Sequence, residues 1–516
     1  MSDRKVIVVG AGVGGLAAAI ALASRGVLVR VVERDCAPGG KLRPVQIEGE
    51  LLDPGPTVFT MRSVFDELFG LAGQHFDRHL RLTPLSTLAR HVWQGRDQLD
   101  LHADLDATVA EIGHFAGPKA ARQYLEFCRR AQDTFDTLEP HYLRAQRPTA
   151  LSLAWRCGMR GLPALMRISP FTTLWKDLGR RFDDPRLRQL FARYATYGGS
   201  SPMAAPATLM LIAHVERAGV WSVDGGMHKL ASVMMALAQS LGVRFDFGRT
   251  VARLGCRSGK VAEVVLDDGD CLACDAVVFN GDVSALAQGL LGDEPRATVP
   301  AHRPQSRSLS ALTWNLRIPV AAFDLARHTV FFSRDYEREF GDLSGTQGLP
   351  EEPTVYVCAH DRPDSIRSGP NRTERLLCLV NASARGDIQP FTDEEIVACE
   401  TRTFRRLSSL GLTLDPAAPG TIRHQPRDWG QRFAGTGGAL YGQATHGWRA
   451  SFSRPAARTR LPGLYLAGGS THPGAGVPMA ALSGLLAARQ LLADTAGRTS
   501  ISTSWMAATP GGTSMR

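Results

Sequence analysis

Three glycines in the pattern Gly10-x-Gly12-x-x-Gly15, followed by a carboxylate at Glu33, are the first residues whose types and spacing suit a chemical task. The task is to hold a dinucleotide pyrophosphate. The first glycine permits a tight turn, the second lets a phosphate approach the backbone, and the third lets helix and strand pack closely. A helix starting here offers unpaired N–H groups and a partial positive charge. Glu33 lies 23 residues after Gly10, where a carboxylate can accept ribose hydroxyls. The same charge disfavours a 2′-phosphate, so NADP fits poorly. The bland alternative is a glycine-rich turn with no ligand.

These residues need a strand, a helix and a second strand to position them. Val6 to Val9 is β-branched and Leu16 to Ala23 is rich in Ala and Leu, the change expected of strand then helix. Val27 to Val32 reads as the next strand and ends at Glu33. Residues 6–23 carry no charge, but the four glycines between Gly10 and Gly15 argue against a signal or membrane helix. Leu461 to Ala488 is also uncharged; with six glycines and three prolines it reads as strand, loop and helix.

The 516 residues leave room for about three ordinary domains, or two interleaved ones. Hydrophobic residues at 44% and charged residues at 21% exclude wholesale disorder. The net charge of +9, with only six lysines among the 59 basic residues, suits an anionic partner: a phosphate cofactor, nucleic acid or lipid headgroups. Nine scattered cysteines point to reduced thiols and not to a disulfide framework. Cys271-x-x-Cys274 has no second pair at zinc spacing, and no metal site is expected.

Gly39-Gly40-Lys41 follows Glu33, and Asp53-Pro54-Gly55-Pro56-Thr57 comes soon after. Here the sequence resembles the flavoprotein superfamily of amine oxidases and carotenoid desaturases. The run Gly55-Pro-Thr-Val-Phe-Thr60 resembles its bacterial phytoene-desaturase branch. Gly219 to Met227 is similar to the branch's mid-chain return segment, and Leu464 to Pro478 carries the strongest match, Thr471-His-Pro-Gly-Ala-Gly476. Within the branch, Phe191 to Pro202 and Thr57 to Arg62 most resemble hydroxyneurosporene desaturases.

The resemblance covers about residues 5–492 and implies an α/β fold: a Rossmann-type FAD-binding domain with an interleaved α+β substrate domain. Residues 1–70, 220–300 and 420–492 would bind the cofactor. Residues 71–219 and 301–419 would build the second domain, the first insert largely helical, with residues 206–215 a buried helix. Residues 493–516 would be a disordered tail. The implied cofactor is FAD, held by Gly10, Gly12, Gly14, Gly15, Glu33, Gly40, Lys41, Pro56, Thr57, Val251, Asp282, Gly468, Gly469, Pro478 and Met479. The family often has glycine where this chain has Met479. Tyr194, Tyr197 and Trp221 would line a substrate tunnel or pack in the core.

The implied reaction places a C-3,4 double bond in a 1-hydroxylated acyclic carotenoid by hydride transfer to flavin, with oxygen or a quinone taking the electrons. Hydride loss from the allylic C4 leaves a cation spread over the polyene, and a proton then leaves C3. No catalytic base is assigned. His472 and Asp282 would lie near the flavin, as a loop histidine and a helix cap. Three alternatives stay open: phytoene desaturase, flavin amine oxidase, and a prenyl-lipid escort protein without catalysis. No nucleic acid partner is expected.

Between Glu139 and Asp177 there is no acidic residue. Arg144, Arg147, Arg156, Arg160, Arg167 and Lys176 are interleaved there with Trp155, Leu162, Leu165, Met166, Ile168, Phe171, Leu174 and Trp175. That mixture suits either a lipid surface or an ordinary helical face. An almost water-insoluble substrate favours the lipid surface, so the protein is expected to be cytoplasmic and peripheral on the cytoplasmic face of the membrane.

Overall fold

The computed structural model describes residues 4–146, 149–153, 155–156, 171–301, 303–320, 323–345, 347–362 and 373–496. Five parallel strands form one sheet in the order Leu464–Leu466, Ala276–Phe279, Lys5–Val9, Leu28–Glu33, Arg244–Phe247. Ala276–Phe279 is buried throughout, as expected of a parallel strand covered on both faces. The helix Val13–Ala23 follows the first strand. All its residues except Ala23 are buried, which explains its uniformly apolar sequence. The C-terminal helix Val477–Ala496 and the helix His228–Ser240 pack against it.

A Cβ on Gly15 would lie 2.1 Å from the Gly10 carbonyl oxygen, so this position accepts no side chain without a backbone shift. This is the close helix–strand approach expected of the third glycine.

A second, seven-stranded sheet runs in the order Ile422–His424, Ser310–Pro319, Thr373–Ala382, Val355–Ala359, His328–Phe331, Thr87–Val92, Gln98–His102. Its pairs are antiparallel except Thr87–Val92 with His328–Phe331. The helix Pro118–Leu138 continues into a wider π turn, Glu139–Leu143.

Residues 206–215 depart from the expected buried helix. They form a 3-10 turn, Ala207–Met210, and begin a helix, Leu211–Arg217, that is only partly buried because one face lines a cavity. The expected tail also starts later: the last helix runs to Ala496, and 497–516 lie outside the described residues.

Of the arginine-rich stretch, Arg147, Arg160, Leu162, Leu165, Met166, Arg167 and Ile168 lie outside the described residues. Leu151, Trp155 and Phe171 are 85%, 83% and 67% exposed. Leu174 and Trp175, expected in the same surface, are instead packed. Leu174 is fully buried, and Trp175 lies under the Arg188 guanidinium and donates to Glu337 at 2.7 Å. Arg144 is tied to Glu67 and Glu139. Among the described residues no helix is long and apolar enough to cross a membrane.

Candidate active site

One cavity of about 970 Å³ joins the two sheets. Four of the five parallel strands point their C-terminal ends at it, where open α/β sheets bind ligands. Val9 and Gly10 follow from the first strand, Glu33 ends the second, Phe279 and Asn280 close a third, and Gly468 lies beyond the fourth.

The helix Val13–Ala23 has no side-chain cap and no acid in its first turn, and Gly12 at its N-cap lines the cavity. Its first N–H groups are thus available to an anion. A Cβ on Gly14 would meet Asn280 Oδ1 at 2.6 Å and the Gly468 nitrogen at 2.9 Å. The first helix, the Asn280 loop and the C-terminal glycines therefore close on one another, and the backbone there is bare enough for a dinucleotide. Glu33 is buried. Its Oε2 accepts from the Ala11 N–H at 2.7 Å and its Oε1 from the Asp35 N–H at 3.0 Å. These bonds fix the carboxylate on the glycine-rich turn and leave lone pairs free.

Gly10, Gly12, Gly14, Glu33, Gly40, Lys41, Pro56, Thr57, Val251, Asp282, Gly468, Gly469, Pro478 and Met479 all line the cavity. Gly15 does not, because it is spent on packing. The Lys41 ammonium donates to the Leu440 carbonyl, and desolvation pushes its pKa down. Asp282 caps the helix Val283–Ala287, accepting from the Ser284 N–H at 3.0 Å and its hydroxyl at 2.7 Å.

His472 does not line the cavity. It is buried with Nε2 3.0 Å from the Tyr142 carbonyl oxygen, and desolvation lowers its pKa to about 4. It is therefore a hydrogen-bonded loop histidine, but one outside the cavity.

The rest of the cavity is largely apolar. Leu138, Tyr142 and Leu143 come from the π-turn region, Leu209 from the opposite 3-10 turn and Ile212 from the helix after it. The second sheet supplies a floor: Leu377, Leu379 and Asn381 alternate along one strand and face the cavity beside Thr313, Val330 and Tyr356. Phe171, largely exposed, stands at the mouth, and Ala150 and Leu153 beside exposed Leu151 also reach the cavity.

Of the three aromatic residues expected to line a tunnel, only Tyr197 does so. Tyr194 is buried in the helical core, with its hydroxyl on Glu216. Trp221 packs edge-on against Phe59 in the other core. The Tyr194 ring stacks on Phe191, so both tyrosine and tryptophan are engaged by core phenylalanines.

Two residues escaped the sequence reading. Asn280 wedges between the glycine turns, donating to the Gly10 carbonyl at 3.3 Å. Arg454 donates to the carbonyls of Tyr441, Gln443 and Gly469, stapling the C-terminal loop. The position of Asn280 at the end of a buried strand was a usable signal; Arg454 had none.

Residues 13–492 match the model of the flavin containing amine oxidoreductase family. The chain is 52% identical over 495 residues to a hydroxyneurosporene desaturase of Rubrivivax gelatinosus, covering 96% of this chain and 94% of that one. The chain belongs to this flavoprotein family, in its carotenoid desaturase branch. A hydroxyneurosporene desaturase of Cereibacter sphaeroides is 44% identical, with 96% and 98% covered. Wild-type putrescine oxidase bound to putrescine shares the fold at a TM-score of 0.59 and 17% identity, with 95% of this chain and 99% of that one covered. The family is flavin-containing, and the uncapped helix and bare glycines of the cradle fit that group.

Proposed function

We propose that this chain is an FAD-dependent carotenoid desaturase that introduces the C-3,4 double bond into 1-hydroxylated acyclic carotenoids. The observation that carries this reading is the continuity of one cavity from the glycine cradle to an apolar gallery with an exposed apolar mouth. The identity to hydroxyneurosporene desaturases supports the substrate class.

When bound, FAD supplies an acceptor for a hydride and its two electrons. The chain's residues hold and orient. The N–H groups at Gly12 and Gly14 would serve the pyrophosphate, and Glu33 would accept from the ribose. Lys41, Pro56, Thr57, Gly468, Gly469, Pro478 and Met479 would border the rest of the dinucleotide, and Val251 its adenine end. Leu138, Leu209 and Ile212 would align the polyene and exclude water, and such a dry gallery penalises localised charge most and charge spread over the conjugated chain least. No histidine lines the cavity among the described residues, and Asp282 is engaged as a cap. The protein's part is thus positioning and desolvation.

The same reading divides the chain into the interleaved cofactor and substrate segments set out above. It also places the protein on the cytoplasmic face of a membrane, with Leu151, Trp155 and Phe171 dipping towards the lipid that carries the substrate. Oxygen or a quinone takes up the electrons.

Expression in cells that accumulate different acyclic carotenoids, followed by pigment analysis, tests the assignment. The expected result is conversion of 1-hydroxyneurosporene to its 3,4-desaturated product. Conversion of phytoene with 1-hydroxyneurosporene unchanged would overturn the substrate while keeping the branch.

A further inference from the structure

Directly against the main cavity lies a small recess of about 10 Å³. It shares Val58, Arg193, Tyr197, Glu216, Val330 and Tyr356 with that cavity. Its volume suits about one oxygen atom with its protons. Two buried polar atoms without partners among the described residues belong to side chains lining it, Nε of Arg193 and Nε2 of His328. Arg193 is 7% exposed and His328 3%. Native interiors rarely leave such atoms unpaired, because each forfeits a hydrogen bond it had in water.

The surroundings fix both side chains. The Arg193 guanidinium lies over the Tyr197 ring, 5.0 Å from its centroid. Tyr197 donates to Glu216 Oε1 at 2.9 Å, and Tyr194 donates to Oε2. The Glu216 carboxylate acts on the arginine's charge through space and has both oxygens engaged by the tyrosines, so the recess calls for a neutral group and not an anion. His328 Nδ1 is 2.7 Å from the Tyr356 hydroxyl, which is 2.7 Å from Thr57 Oγ1. Desolvation keeps this imidazole neutral. When Nδ1 donates to Tyr356, Nε2 is left as an acceptor. The side chains lining the recess then hold one unpaired donor, Arg193 Nε–H, and one unpaired acceptor, His328 Nε2. A hydroxyl group both accepts and donates, and so satisfies both.

We propose that Arg193 and His328 form a specificity subsite that grips the hydroxyl of the substrate, with the oxygen in the recess and the polyene in the main cavity. This rests on the hydroxylated-carotenoid reading of the same site and names what in this chain would recognise the oxygen. A hydrocarbon end would leave both polar atoms buried and unpaired, the kind of penalty by which sites reject an analogue lacking a hydroxyl.

The test measures binding. Purified flavin-loaded protein is titrated with 1-hydroxyneurosporene and with neurosporene, the same polyene without the hydroxyl, following the shift of the polyene absorption. The wild type should bind the hydroxylated compound more tightly by about tenfold or more, the cost of one unmade buried hydrogen bond. Arg193→Met and, separately, His328→Phe should bring the two affinities together while flavin content and melting temperature confirm the fold. Equal binding of both pigments by the wild type, a comparison that needs no variant, would overturn the subsite and leave the desaturase reading standing. Preference surviving in both folded variants would do the same. A wild type that binds neither pigment would overturn the carotenoid reading and the subsite together.

Discussion

The carbonyl oxygen of Gly14, in the first helix, lies where a side chain on Gly484 of the last helix would have to sit. A Cβ on Gly484 would fall 2.1 Å from that oxygen and 2.9 Å from the Ala18 nitrogen. The two ends of the polypeptide are therefore clamped backbone to backbone beside the cofactor cradle. Gly484→Ala must push the helices apart. Overpacking of this kind costs roughly 1–3 kcal/mol. Thermal melting of the variant should show that loss, together with reduced flavin content after gel filtration. An unchanged melting temperature and full flavin content would contradict the clamp.

Glu33 is held by the Ala11 N–H at 2.7 Å, so its carboxylate is oriented before any ligand arrives. Glu33→Gln keeps an acceptor oxygen but loses the charge that strengthens both this bond and the one proposed to the ribose. Charge-assisted hydrogen bonds are worth about 1.5–3 kcal/mol, so flavin affinity should fall by at least about tenfold. Fluorescence of released flavin during dialysis provides the measurement. Stability measured in excess flavin should recover.

His472 carries a pH prediction. Burial lowers its pKa from an ordinary 6.5 to about 4. The unfolded chain therefore binds more protons than the folded one between those values, so stability rises with pH across that window. On acidification it begins to fall near pH 6.5 and levels off below about 4. The full effect of this one group is about 3 kcal/mol by linkage. His472→Gln, whose side-chain amide can still donate to the Tyr142 carbonyl, should lower the slope of unfolding free energy against pH by up to one proton. Urea titrations at several pH values would show it. An unaltered slope would mean that His472 does not titrate differently on folding.

Leu151 and Trp155 are almost fully exposed yet flank residues that line the cavity mouth. Replacing both with serine removes apolar side chains worth roughly 1.5–3 kcal/mol each when buried in lipid. Flotation with vesicles should show at least about tenfold weaker membrane binding, with flavin content unchanged. Equal flotation would remove this patch from the membrane contact.

The cofactor half of the site was legible because its constraints are local and covalent. A turn that must pass near a phosphate needs Gly10 and Gly12 in order, and Glu33 follows one strand later. The C-terminal glycines at 468 and 469 were legible for the same reason. What the sequence could not carry was the direction of side chains set by tertiary packing. Tyr194, Tyr197 and Trp221 are equally good tunnel or core residues by type, and only Tyr197 reaches the cavity. The partly buried face of Leu211–Arg217 looked like core because a ligand gallery is as apolar as an interior. Asn280 acts on Gly10, 270 residues away, and Arg193 and His328 through a lack of partners; of these only the place of Asn280 at the end of a buried strand is written in local sequence.

The most direct measurement is anaerobic mixing of the purified, flavin-loaded protein with 1-hydroxyneurosporene in vesicles, recording flavin absorbance and the pigment formed. Bleaching of the yellow flavin band, with one 3,4-desaturated carotenoid formed per flavin, is the predicted result. A band that stays oxidised with the carotenoid but bleaches with a primary amine would contradict the account.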